Sequence, residues 1–306
     1  MNLYIFIIFT FFSLNSYSEK VITSSTTPLN LEDPKLLGTG FGNGNGPFVE
    51  LTGGYLKLRP KSFEMNNNIF GVNFGIDREI TSNFWLKNRL HYLTERKRYY
   101  QLPGTTSAKS LFASGEFVYQ TQTHYVNTGL GLGIKDYNFI ANEHSFKYRS
   151  YLPYFYYESG LVYKFKCFEY SPSAKLDFSM ETYRNIPTVE SYRKQLPNKE
   201  EQRYGGLNLG GYIRFFHNPT LNKFFTNQVS IWYRNAFLNS RGVVFNKDHT
   251  YIIQEHYNSI SPHFLNLSVD LNFFLPYKNL ISLYYKYTFN HQMYSHNFYL
   301  GYKILF

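Results

Sequence analysis

The chain ends Phe298-Tyr299-Leu300-Gly301-Tyr302-Lys303-Ile304-Leu305-Phe306, and every second residue of this stretch is large and apolar. A period of two puts Phe298, Leu300, Tyr302, Ile304 and Phe306 on one face of a strand and leaves Gly301 and Lys303 on the other. The pattern recurs upstream. Phe70, Val72, Phe74 and Ile76 alternate with Gly71, Asn73, Gly75 and Asp77. Val126, Thr128, Leu130, Leu132 and Ile134 alternate with Asn127, three glycines and Lys135. Similar runs cover Leu207 to Phe215, Leu265 to Phe273 and Ile281 to Phe289. An amphipathic helix needs apolar residues three and four apart, which these runs do not favour.

From Phe48 onward the alternation yields about twelve strands, with ten or fourteen left open by the stretch Val243 to Glu255. Short connections are expected at Thr81 to Asn83, Gln120 to Thr123, Lys164 to Cys167, Asn218 to Thr220 and Pro276 to Asn279. Longer polar ones are expected at Pro60 to Asn68, Arg96 to Ser110, Asp136 to Ser150, Tyr183 to Gln202 and Asn239 to Ser259. Asn290 to His296 is short. Alternating short turns and longer loops suit an up-and-down membrane barrel. Aromatic residues flank both sets of connections. Phe84, Trp85, Tyr119, Tyr125 and Phe165 lie on the turn side, and Tyr99, Tyr100, Tyr137, Tyr148, Tyr151 and Tyr183 on the loop side. Two interfacial girdles are the expectation.

Tyr302 and Phe306 give the last strand a resemblance to the closing strand of bacterial outer-membrane β-barrels. There a terminal Phe and an earlier aromatic form a signal for the barrel-assembly machinery. The resemblance implies an all-β fold: one antiparallel up-and-down transmembrane barrel over residues 48–306, in the outer membrane of a Gram-negative bacterium.

Composition agrees. The 306 residues include 30 Tyr, 30 Phe and only 2 Trp, yet mean hydropathy is −0.37. Helical membrane proteins need runs of about 20 apolar residues, and none follows residue 18. Leu3 to Phe12 is nearly all apolar, and Ser16-Tyr17-Ser18 offers a cleavage site, so residues 1–18 read as a signal peptide. Residues 19–47, first Ser/Thr-rich and then Gly/Asn-rich, read as a flexible periplasmic lead-in or a plug for the lumen. Cys167 is the one cysteine, so no intramolecular disulfide forms. The net charge of +10 comes from scattered residues, and lipopolysaccharide is a better partner for it than nucleic acid.

If the apolar set faces lipid, the alternate set faces the lumen. That set contains Lys87, Arg89, His91, Lys135, Lys164, Lys175, Arg214, Arg234, Lys286 and Lys303, against Asp77, Glu116, Glu158, Asp177, Glu181 and Asp270. The residues expected to line a pore are Lys87, Arg89, Lys135, Lys175, Asp177, Arg214, Arg234, Asp270 and Lys286. The basic excess points to a narrow channel for small anionic solutes. Alternatives are a lipid hydrolase or protease on a barrel scaffold, and a structural or adhesive barrel without transport. No His-x-Ser spacing occurs, and His291 and His296 are a weak metal pair, so no cofactor is expected. Solute identity and oligomeric state are left open.

Three places resist the pattern. Val49 and Leu51 give way to Leu56 and Leu58 across Gly53-Gly54, where a β-bulge would restore the face. Pro153 and Pro172 fall inside strands to whose ladders they cannot donate.

Overall fold

The computed structural model describes residues 45–59, 64–81, 83–100, 104–141, 143–165, 168–186, 201–217, 225–239, 263–275 and 279–305. The expected signal peptide, almost all of the lead-in, Cys167, the stretch Val243 to Glu255 and Phe306 lie outside them.

The strands are β1 Gly46–Leu58, β2 Met65–Thr81, β3 Phe84–Tyr99, β4 Thr105–Gln120, β5 His124–Ala141, β6 His144–Leu161, β7 Tyr163–Lys164, β8 Phe168–Arg184, β9 Glu201–His217, β10 Phe225–Asn239, β11 His263–Leu275, β12 Asn279–Phe289 and β13 Met293–Ile304. Each pairs antiparallel with its neighbours in sequence, except that β6 and β7 do not pair with each other, and β1 pairs with β13. Pairing of β6 with β8 completes the ring. The two-residue β7 continues the register of β6 on β8, so the barrel has twelve long strands. Closure pairs the backbone of every strand on both sides, which a bilayer demands. The exposed side chains form a belt that includes Val49, Phe70, Leu90, Leu111, Leu132, Phe155, Leu209, Ile231, Leu283 and Leu300. Such a continuous apolar surface is covered by lipid.

Both prolines sit on the β6–β8 seam. That ladder runs to Tyr151↔Thr182, resumes at Tyr154↔Ser179, and stops again after Gly160↔Ser173. The first lapse contains Pro153. The second faces Pro172, and there the Val162 N–H donates to the Thr123 carbonyl at 2.7 Å. Strand pairing survives because each proline interrupts one edge, while its other edge stays in register with Leu132 or Gly211.

The bulge expected at Gly53-Gly54 is absent. β1 keeps unbroken register with both β2 and β13 through these residues. Leu56 and Leu58 therefore stay on the inward face and pack with Met65, Phe264 and Met293. Gly53 faces outward and floors an apolar furrow of about 420 Å³ between Leu51, Phe70, Leu283 and Phe298.

Two expected loops are largely strand, and a third is partly so. β5 and β6 are each 18 residues long and stay paired to Ala141↔His144, so the expected Asp136 to Ser150 loop is a hairpin tip. About 9–11 residues cross a bilayer; the rest of this hairpin stands beyond it. β3 and β4 likewise run past the expected Arg96 to Ser110 loop, joined through Gly104 at φ 123°, a conformation suited to glycine. β2 starts at Met65, inside the expected Pro60 to Asn68 loop.

The girdles are corrected with it. Trp85, Tyr125, Tyr137, Tyr148 and Tyr183 point inward and are buried, because extended ladders keep the period of two where loops were expected. Tyr119, Phe165, Tyr100 and Tyr151 are exposed. On the loop side Tyr55, Tyr287, Phe289 and Tyr294 add outward rings.

Inward glycines on β5 are covered by rings from its neighbours. A Cβ at Gly129 would stand 2.2 Å from the Tyr156 ring, one at Gly131 2.1 Å from Tyr154, and one at Gly133 2.0 Å from Phe112. Gly133→Val should destabilise the folded barrel by about 1–3 kcal/mol through overpacking. Adding Phe112→Leu should recover part of that loss, both read from urea-unfolding midpoints on a heat-modifiability gel.

Candidate functional site: the barrel interior

Alternation places the expected lumen residues as read. Lys87, Arg89, Lys135, Lys175, Arg214, Arg234, Asp270 and Lys286 are inward and buried, and Asp177 is inward and half-buried. His91, Asp77, Glu116, Glu158, Glu181 and Lys303 join them. Lys164 is exposed on the short β7. The inward set also holds Glu50, Glu95, Glu169 and Lys97, which the sequence reading missed. Strict parity along β1, β3 and β8 would have found all four. With them and Glu79, half-buried on the inward side of β2, the inward charges of the described residues come to nine basic (Lys87, Arg89, Lys97, Lys135, Lys175, Arg214, Arg234, Lys286, Lys303) and ten acidic (Glu50, Asp77, Glu79, Glu95, Glu116, Glu158, Glu169, Asp177, Glu181, Asp270). The basic excess that motivated an anion preference is gone.

The charges pair by two geometries. Some meet between adjacent strands. Arg89 lies 3.5 Å from Glu116, and Lys175 lies 3.6 Å from Glu158 with its ammonium 4.2 Å from the centre of the Tyr156 ring. Arg214 donates to Glu169 at 3.3 Å and to Gln228 at 2.6 and 3.1 Å. Others reach over an intervening strand, which carries small residues in the first two of the three cases below. Lys135 on β5 meets Glu95 on β3 at 2.6 Å over Ala108 and Ser110 of β4. Arg234 on β10 grips both oxygens of Asp177 on β8 at 2.8 Å. It does so over Gly206 of β9, where a Cβ would stand 2.7 Å from the guanidinium carbon. Lys303 on β13 meets Asp77 on β2 at 2.5 Å across β1. Adjacent strands lie about 4.8 Å apart, so only long side chains over bare backbone span two of them.

Hydroxyls and amides also donate to the inward carboxylates. Tyr125 donates to Glu158 at 2.6 Å, Tyr212 to Glu169 at 2.8 Å, and Tyr137 and Ser150 to Glu181 at 2.6 and 2.5 Å. Asn73 donates to Glu50 at 2.6 Å and Asn272 to Asp270 at 3.1 Å. At the loop end the lining turns apolar. Leu56, Leu58, Met65, Phe264 and Met293 cluster on one side. Tyr137, Phe139, Tyr148 and Tyr183 cluster on the other, with Tyr137 and Tyr148 stacked at 4.5 Å.

No family model and no curated protein matches the sequence. Solved structures do match in shape. The translocator domain of the autotransporter NalP from Neisseria meningitidis aligns over 87% of this chain and 90% of that one, with TM-score 0.67 and 9% identity. The transport unit of the autotransporter AIDA-I from Escherichia coli aligns over 91% and 93%, with TM-score 0.67 and 10% identity. An outer membrane channel from Pseudomonas putida F1 aligns over 91% and 100%, with TM-score 0.52 and 11% identity. The fold is that of an outer-membrane β-barrel. At these identities the likeness extends to the fold alone.

The side chains of Lys135 and Glu95 are both 0% exposed, so truncating one partner strands a buried charge. Glu95→Gln should cost about 3–5 kcal/mol of unfolding free energy. Asp136→Asn, which breaks the exposed pair with Arg149, should cost less than about 1 kcal/mol. Denaturant titrations of the two variants in the same detergent compare them directly.

Proposed function

We propose that the protein is an outer-membrane barrel of a Gram-negative bacterium that conducts small polar solutes through a narrow lumen. The observation that carries this reading is a charged, hydrogen-bonding inward face on a barrel of twelve strands. Eight strands make an interior that side chains just fill, so twelve leave a wider lumen for long charged side chains to occupy. An apolar filling would shield the lumen from water; ion pairs do not. The expected preference for anions loses its support, since nine inward basic residues face ten acidic ones, and the channel proposed here discriminates weakly by sign.

The buried pair Lys135–Glu95 favours a second reading, a structural barrel that transports nothing. Both side chains are fully buried, which favours an interior packed at that level. No comparable observation favours a hydrolase or a protease.

Planar-bilayer recordings on pure, refolded protein separate the readings. A channel should give small unitary currents with a reversal potential near zero across a potassium chloride gradient. Replacing both Glu95 and Lys135 by alanine removes the constriction without stranding a charge, and should enlarge the current. Silence from both proteins would leave the structural reading.

A further inference from the structure

The outer surface carries a second polar constellation. Lys109, Asp136, Arg149 and Arg184 are successive register partners across β4, β5, β6 and β8. All face outward and all are exposed. Two residues closer to the membrane on three of those strands stand Leu111, Ile134 and Tyr151, exposed by 50%, 39% and 38%. The charged row therefore runs along the loop-side rim of the apolar belt. Beyond it the same outward surface adds Lys147 on β6 and Arg96 and Arg98 on β3.

The group holds six basic side chains and one carboxylate, and that carboxylate is already taken. Asp136 accepts from Arg149 Nε at 2.5 Å and from its second nitrogen at 3.2 Å. This pair holds Arg149 in a fixed orientation and leaves guanidinium N–H groups beyond the two that Asp136 takes. Elsewhere on the rim the basic residues are fewer: Lys57 and Arg59 at the end of β1 are paired with Glu64, and β9 adds Arg203. Around β10 to β13 the outward residues at the loop end are rings: Tyr233 hydrogen-bonded to His263 at 2.6 Å, and Tyr285 to His296 at 2.7 Å. Positive charge is thus concentrated on one flank, just above the acyl-chain layer.

We propose that the β3–β8 flank binds the phosphorylated head group of a lipopolysaccharide molecule. Its acyl chains would lie on the apolar belt below, and its phosphates would meet Lys109, Arg184, Arg96 and Arg98. Guanidinium forks match phosphate oxygens two at a time. A row on adjacent strands holds its charges at fixed spacing. The inference requires that the long loops face outward from the cell, and not that the lumen conducts.

The test uses the full chain in neutral-detergent micelles, with retained lipid counted by native mass spectrometry. Wild-type protein should retain lipopolysaccharide and lose it as salt rises. Lys109→Gln with Arg184→Gln should weaken retention about tenfold, and adding Arg96→Gln and Arg98→Gln should weaken it further, each loss of charge-assisted bonds being of that order. Asp136→Asn, which removes the one carboxylate, should tighten it. A heat-modifiability gel confirms that each variant is folded. Equal retention of lipopolysaccharide by wild type and the quadruple variant would overturn the proposal. So would equal retention of lipid A stripped of its phosphates, or full displacement by millimolar inorganic phosphate, which would mark a site for free anions.

Discussion

In a bilayer no water is available to satisfy a backbone N–H or C=O, so a spanning sheet must close on itself. Every other feature of this barrel answers to that demand. β1 and β13 come from opposite ends of the chain and pair over their whole length, Phe48↔Lys303 to Leu58↔Met293. The last strand therefore cannot be dispensable. The same demand explains where the prolines lie. Each lacks a donor on one edge, and both fall on the β6–β8 seam, whose ladder lapses at Pro153 and stops at Pro172 while the other edge of each proline stays paired. Elsewhere the described ladders shift register only near strand ends, at Glu79/Thr81 and at Asn235/Leu238.

Closure at twelve strands also fixes a lumen that must be filled or hydrated. This chain fills much of it with ion pairs that bridge two strands at a time. Such a pair is worth little against an apolar replacement of both members, yet costly to break singly. Lys135, Glu95 and the bare backbone at Ala108 and Ser110 act as one unit, as do Arg234, Asp177 and Gly206. The long cation needs the small residue beneath it as much as it needs the carboxylate beyond. On β5 the logic is the same with rings in place of cations: Gly129, Gly131 and Gly133 are bare so that Tyr156, Tyr154 and Phe112 can lie flat.

Most of the architecture was legible from the period of two. Strand number, the outward apolar set and the inward position of Lys87, Arg89, Lys135, Arg214 and Lys286 all follow from alternation. What failed did so where polarity was read as a sign of loop. Asp136 to Ser150 is polar because it stands in water, yet it remains paired strand, since a ladder continues past the membrane as long as its register holds. Leu56 and Leu58 failed in the opposite sense. Their apolarity was read as lipid exposure, whereas they close an internal cluster with Met65, Phe264 and Met293. Residue type reports the medium around a side chain, and a barrel end has three of them: lipid, water and packed interior. The carboxylates Glu50, Glu95 and Glu169 were missed because their strands were described by apolar runs rather than by strict parity.

The balance of inward charge bears on how such a chain stays workable before it meets a membrane. A lumen lined with Leu and Phe would close equally well, and by area alone more favourably. It would also make each strand apolar on both faces, and twelve such strands in succession would read as membrane-spanning helices. Alternation with Lys, Glu, Asn and Ser prevents that, which is how 60 Tyr and Phe residues coexist with a mean hydropathy of −0.37. Along the alternating strands most apolar residues have a polar neighbour until hydrogen bonding to the next strand sorts the two sets onto opposite faces. The ion pairs are then the folded form of a polar set that the unfolded chain already required.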